Sequence, residues 1–79
     1  MKKTRQEIQE IIFQALKSKN ASSFVEDSKI SEIGIDSLDL VELIIENEEK
    51  FLVQVSDDEL TKLKSVKEVI DLFDKKINK

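Results

Sequence analysis

Gly34-Ile35-Asp36-Ser37-Leu38-Asp39-Leu40-Val41-Glu42-Leu43-Ile44-Ile45-Glu46-Asn47-Glu48-Glu49-Lys50-Phe51 is the stretch that decides the fold of this 79-residue chain. Wound into a helix at about 100° per residue, it separates into three bands. Leu40, Leu43, Ile44, Asn47 and Phe51 fall within roughly 60° of one direction, the pattern of a helix face turned to a core. Asp39, Glu42, Glu46 and Glu49 take the far side. Between them runs a second apolar stripe of Leu38, Val41 and Ile45. A helix at a solvated surface needs only one apolar face. The extra stripe is therefore either a widened core contact, as in a helix flanked on two sides, or a surface where a partner docks, with an apolar centre and a charged rim.

Outward from this segment, the chain reads as helical on both sides. Thr4-Arg5-Gln6-Glu7 has the capping-box pattern, followed by Ile8, Ile11, Ile12, Ala15 and Leu16 on one face. Ser65-Val66-Lys67-Glu68 repeats it before Val69, Ile70, Phe73 and Ile77, and Ser56-Asp57-Asp58-Glu59 does so before Leu60 and Leu63. Each cap contributes about 1 kcal/mol and places a carboxylate at the positive end of its helix. From Lys17 to Ile35 the residues are polar and serine-rich, which predicts a long loop pinned to the core by Phe24, Ile30 and Ile33. The expected fold is all-α, with a long helix, a long loop, a second long helix, a short helix and a last helix, in one domain over residues 1–79. Asn47 stands out on the core face, because a buried amide must bond locally or reach water.

Composition narrows the function. The chain has no His, Cys, Trp, Tyr or Pro, and its one glycine is Gly34. Without His, the usual base near neutral pH and the usual zinc ligand are both missing, and without Cys there is no thiol nucleophile, disulfide or thiolate metal site. An enzyme and a metal site are not expected. The basic N-terminus has no apolar segment behind it, so no signal peptide is read, and the longest apolar run in the central segment, Leu43-Ile44-Ile45, is far too short to span a membrane. A cytoplasmic monomer is expected. The formal net charge is −4, which disfavours non-specific nucleic-acid binding. That figure conceals a segregation: Glu32 to Glu59 contains ten acidic residues and one basic residue, a net of −9, and the remainder nets +5. A charge run is most often a solvated face, so this supports the docking reading without settling it.

Gly34-Ile35-Asp36-Ser37-Leu38-Asp39, continued by Val41-Glu42-Leu43 and Glu48-Glu49-Lys50-Phe51, resembles the acyl carrier protein family over nearly the whole chain. The resemblance implies an antiparallel four-helix bundle with a short third helix and a long first loop. It further implies that Ser37 receives 4′-phosphopantetheine from coenzyme A through a phosphodiester, with Asp36 and Leu38 flanking the site and Asp36 aiding the transferase. Acyl groups would ride on the arm's thiol as thioesters, sheltered near Leu43, Ile44, Leu60 and Leu63. The docking face would be Asp39, Val41, Glu42, Ile45, Glu46 and Glu49. Its partners would be a phosphopantetheinyl transferase and acyl-transferring, condensing and reducing enzymes with basic docking surfaces, in fatty-acid or related lipid synthesis. A carrier for a polyketide, an amino acid or a dedicated lipid acyl group is the alternative, and an unmodified acidic interaction module is a further one. The sequence departs from the family's usual pattern at Asn47, Glu46 and Lys50, and it lacks the proline common before the third helix.

The chemistry suits such a carrier. A serine hydroxyl with no base beside it is a poor nucleophile, but activation would come from the modifying enzyme. Exposure at a helix N-terminus is all that Ser37 itself needs, and that position favours a phosphate.

Overall fold

The computed structural model describes residues 3–78, which form four helices. They are α1 (Arg5–Ser18), α2 (Ser37–Phe51), α3 (Asp57–Thr61) and α4 (Val66–Ile77), with a 3₁₀ turn at Ile30–Glu32 inside the loop between α1 and α2. The expected order of long, long, short and last helix is observed.

Local signals set the helix starts. Thr4 accepts from the Glu7 N–H at 3.1 Å while the Glu7 carboxylate accepts from the Thr4 N–H at 3.0 Å, closing the capping box. Ser56 and Glu59 close a second box in the same way, at 3.2 and 3.0 Å. At α4 the Ser65 hydroxyl accepts from the Glu68 N–H, but the Glu68 carboxylate accepts from the Lys64 N–H instead of that of Ser65. Here the preceding loop takes over part of the capping. Ser28 and Glu26 carbonyls accept from the Val66 and Lys67 N–H groups at 3.0 and 2.8 Å, and the Ile30 N–H donates to the Lys64 carbonyl at 2.9 Å. Those bonds fill positions that a helix start otherwise leaves open.

The periodic apolar residues meet in one core. Ile8, Ile12 and Leu16 of α1 pack with Leu43, Ile44 and Phe51 of α2 and with Val66, Val69, Ile70 and Phe73 of α4, all buried. The rings of Phe51 and Phe73 lie 5.3 Å apart. Ile30 and Ile33 anchor the long loop in this core as expected, whereas Phe24 is only half-buried and stacks edge-on against Phe13 at 4.9 Å. The single buried polar residue among those described is Asn47, which satisfies itself locally by donating to the Leu43 carbonyl at 2.7 Å. Leu40 sits at the margin of the core face, half-buried.

Two termini direct the chain. Gly34 adopts φ +74°, a left-handed conformation natural to glycine, in the turn that leads into α2, where the Ser22 N–H donates to the Ile33 carbonyl. Leu52 ends α2 in the same region at φ 58°, and Glu48 folds over that end to accept from the Val55 N–H at 2.6 Å. Arg5 fastens α1 to the loop through Glu26 at 2.6 Å and to α4 through Asp71 and Asp74.

Glu59 couples α3 to α4 by an ion pair with Lys76 at 3.0 Å. The Ser56 N–H, then Lys76, hold its carboxyl down to about 2 from an ordinary 4.5. Because the folded value lies below the unfolded one, this interaction stabilises the fold fully above pH 4.5 and is lost as pH falls toward 2. Thermal melts of Glu59→Gln should therefore lie below wild type at neutral pH and converge with it across that window. A gap that stays constant with pH would contradict the assignment.

Candidate functional site

Ser37 is the first residue of α2, and it is exposed. It follows Asp36, which occupies the N-cap position with extended backbone but makes no side-chain cap bond. The Asp36 carbonyl accepts from the Leu40 N–H at 2.9 Å, while its carboxylate makes no bond to the first turn. The other three helices all carry a Thr or Ser cap on the N–H three residues on. The opening turn of α2 thus keeps uncapped N–H donors beside an accessible hydroxyl, and those donors together with the helix dipole favour an anion.

Ser37 lines an open groove of about 630 Å³. Ile30, Ile35, Leu40 and Leu63 line it, with Lys29 and Lys64 among its polar residues. Its wall coincides with the expected acyl shelter only at Leu63. Leu43 and Ile44 are instead sealed in the core at 0% and 2% exposure, and Leu60 is half-buried against it. Ile35 and Leu40, both half-buried against the core, are the residues that the loop and α2 contribute to the groove wall instead.

The second apolar stripe of α2 does not widen the core. Leu38 is 76% exposed and Ile45 50%, and only Val41 is half-buried. Asp39 is half-buried, and Glu42, Glu46 and Glu49 are exposed alongside. The band of Leu38, Val41 and Ile45 with its acidic border therefore lies on one open face of α2, starting one residue beyond Ser37.

Sequence reasoning missed a cation in this acidic field. Lys19, just past the end of α1, places its ammonium 3.1 Å from Glu42 and 3.5 Å from Glu46. The hydrogen bond with Glu42, reinforced by the charge of Glu46, raises its pKa. No spacing rule could have revealed this pairing, because Lys19 and Glu42 are 23 residues apart and meet only when α1 packs on α2. Nor are all acidic residues of the middle segment available to a partner: Glu48 closes the end of α2, and Glu59 is held by its cap and Lys76.

Comparison with known proteins agrees with this geometry. A family model described as the phosphopantetheine attachment site matches residues 6–73. An acyl carrier protein of Buchnera aphidicola subsp. Acyrthosiphon pisum (strain APS) is 42% identical over 76 residues, covering 96% of this chain and 95% of its own. An acyl carrier protein homolog of Mycoplasmopsis pulmonis is 42% identical over 69 residues, with 87% and 94% covered. The crystal structure of an acyl carrier protein from Thermotoga maritima superposes with a TM-score of 0.77 at 28% identity, covering 94% of this chain and 91% of that one. The solution structure of a hexanoyl carrier from the actinorhodin polyketide synthase of Streptomyces coelicolor has a TM-score of 0.76, covering 99% and 94%, and at 20% identity it bears on the fold alone.

If the stripe on α2 is free surface, polar substitution there should be cheap. Leu38→Ser and Ile45→Ser should each change unfolding free energy by less than about 0.5 kcal/mol in urea titrations. Leu43→Ala, which opens a cavity in the core, should cost about 2–5 kcal/mol. Equal losses at Leu38 and Leu43 would show that the stripe is packed.

Proposed function

The chain belongs to the acyl carrier protein family, and from that premise we propose that Ser37 is its point of 4′-phosphopantetheine attachment. The observation that supports this most directly is the exposed Ser37 hydroxyl at the uncapped start of α2, opening onto an apolar groove. The residues suit the group. N–H donors of the first turn would receive the phosphodiester, and the groove beside Ile35, Leu40 and Leu63 has room for a flexible arm. Once attached, the arm supplies the thiol that this chain lacks, and acyl groups are carried on it as thioesters.

In this reading the chain's own residues position rather than catalyse. Ser37 presents its oxygen at a helix end that no neighbouring side chain covers by capping. Asp36 and Leu38 flank it and form the first contacts for an incoming transferase. Asp39, Val41, Glu42, Ile45, Glu46 and Glu49 continue the docking face down α2, an apolar strip with an acidic margin that suits brief encounters with basic enzyme surfaces. Partners include a phosphopantetheinyl transferase and acyl-transferring, condensing and reducing enzymes of fatty-acid or related lipid synthesis. Residues 1–79 act as one carrier unit, monomeric and cytoplasmic, with a single core drawing on three of the helices and the long loop. The lack of His and Cys accords with a protein that leaves catalysis to others. Among the described residues no helix is long and apolar enough to cross a membrane.

Incubation of the apo protein with coenzyme A, Mg²⁺ and a broad-specificity phosphopantetheinyl transferase should add the mass of one phosphopantetheine, and Ser37→Ala should add none. No gain on the wild type would sink the attachment, and gain on the variant would misplace it. Glu42→Lys should slow modification about tenfold at low ionic strength with helicity unchanged, through loss of electrostatic steering. Rates equal to wild type would remove Glu42 from the docking face.

A further inference from the structure

Lys19 is the structure's departure from a uniformly acidic α2 face. It stands just beyond the last turn of α1, where a cation is favoured by the helix dipole. The side chain is 16% exposed, so its stem is laid against the protein while the ammonium reaches Glu42 and Glu46, one helical turn apart, at 3.1 and 3.5 Å. Those two carboxylates are themselves 65% and 64% exposed. They border the open apolar stripe at Val41 and Ile45. A basic side chain arriving at that part of the face finds the pair already occupied by a cation of the same sign.

We propose that Lys19 is an internal counter-ion on the docking face: it holds the Glu42–Glu46 pair in the free protein and competes there with the arginine or lysine of a basic partner surface. The occupant is a protein surface with cationic side chains around an apolar contact, the complement of Leu38, Val41 and Ile45 with their carboxylate margin. The idea rests on the docking face proposed above. Its consequence is a division of α2. Asp36 and Asp39, near Ser37, form no ion pair among the described residues and keep their full charge for a partner, whereas the charge of Glu42 and Glu46 is partly offset by Lys19 until Lys19 gives way. Competition of this kind weakens the complex and shortens its life, as a carrier that changes partners requires. It selects partners whose charges can displace Lys19 or avoid it.

The test needs no modification of Ser37, so it reads separately from the attachment. The probe is a synthetic helical peptide with a leucine face bordered by three arginines, titrated calorimetrically into the unmodified protein at low ionic strength. Lys19→Met keeps the apolar stem and removes the charge; it should bind the peptide about three- to fivefold more tightly, the range an exposed ion pair allows. Lys19→Arg should bind within about twofold of wild type, since it restores the competitor. In a Glu42→Gln/Glu46→Gln background, Lys19→Met should have no effect. Unchanged or weaker binding by Lys19→Met would overturn the proposal, as would equal tightening in the double-glutamine background. Absence of peptide binding by wild type and Lys19→Met alike would overturn it together with the docking face, while leaving Ser37 attachment to the mass measurement.

Discussion

Three backbone hydrogen bonds, Ile30 to Lys64, Val66 to Ser28 and Lys67 to Glu26, hold the loop between α1 and α2 against the start of α4. The position of everything around Ser37 follows from them. A serine-rich loop of this length has little apolar material of its own, and it would cost considerable chain entropy to order without partners. The bonds give it a fixed edge and complete the capping of α4 at the same time. Ile30 and Ile33 then sink into the core, and Gly34 turns the chain into α2. Ser37 therefore starts its helix at a set place, with the groove of Ile30, Ile35, Leu40 and Leu63 beside it.

The two faces of α2 divide buried core from open surface along one helix. Leu43, Ile44, Asn47 and Phe51 are sealed inside, and even the amide of Asn47 is satisfied by the turn above it. Leu38 and Ile45 are left outside, although their burial would be worth about 1.5–3 kcal/mol each if the bundle could reach them. The proposed docking face would account for that exposure, because a passing partner would supply the missing contact. In that proposal the carboxylates alongside would govern how fast and how selectively the partner arrives.

Charge on this protein is arranged in pairs as much as in a field. The acidic middle of the chain is real, but Glu48 serves the end of α2, Glu59 serves the start of α3 and Lys76, and Glu42 with Glu46 share Lys19. Arg5 does the same for Glu26, Asp71 and Asp74 on the opposite side of the charge count. Along α2, Asp36, Asp39 and Glu49 form no ion pair among the described residues, two of them beside Ser37 and one toward the far end.

Much of this was legible in the residues. Local rules reach a few positions along the chain, and within that range they performed well: the boxes at Thr4 and Ser56 close, and most of the periodic apolar residues of α1, α2 and α4 are buried, with Ile11, Ala15, Leu40 and Ile77 at the half-buried margin; it was the resemblance that put Ser37 at a helix start. They could not show that Ser65 shares its capping with Ser28 and Glu26, nor that Leu43 and Ile44 are sealed in the core and not in the groove. Whether the stripe at Leu38 and Ile45 was core or surface was equally undecided, because periodicity reports a face and not what covers it. The sequence by itself determined the order of the helices and their apolar faces, since each depends on neighbours within about a turn or two. Only the tertiary structure decided that Lys19 meets Glu42 and Glu46, that the stripe is open and that Ser37 is exposed beside a groove, because each depends on distant segments brought together by the core.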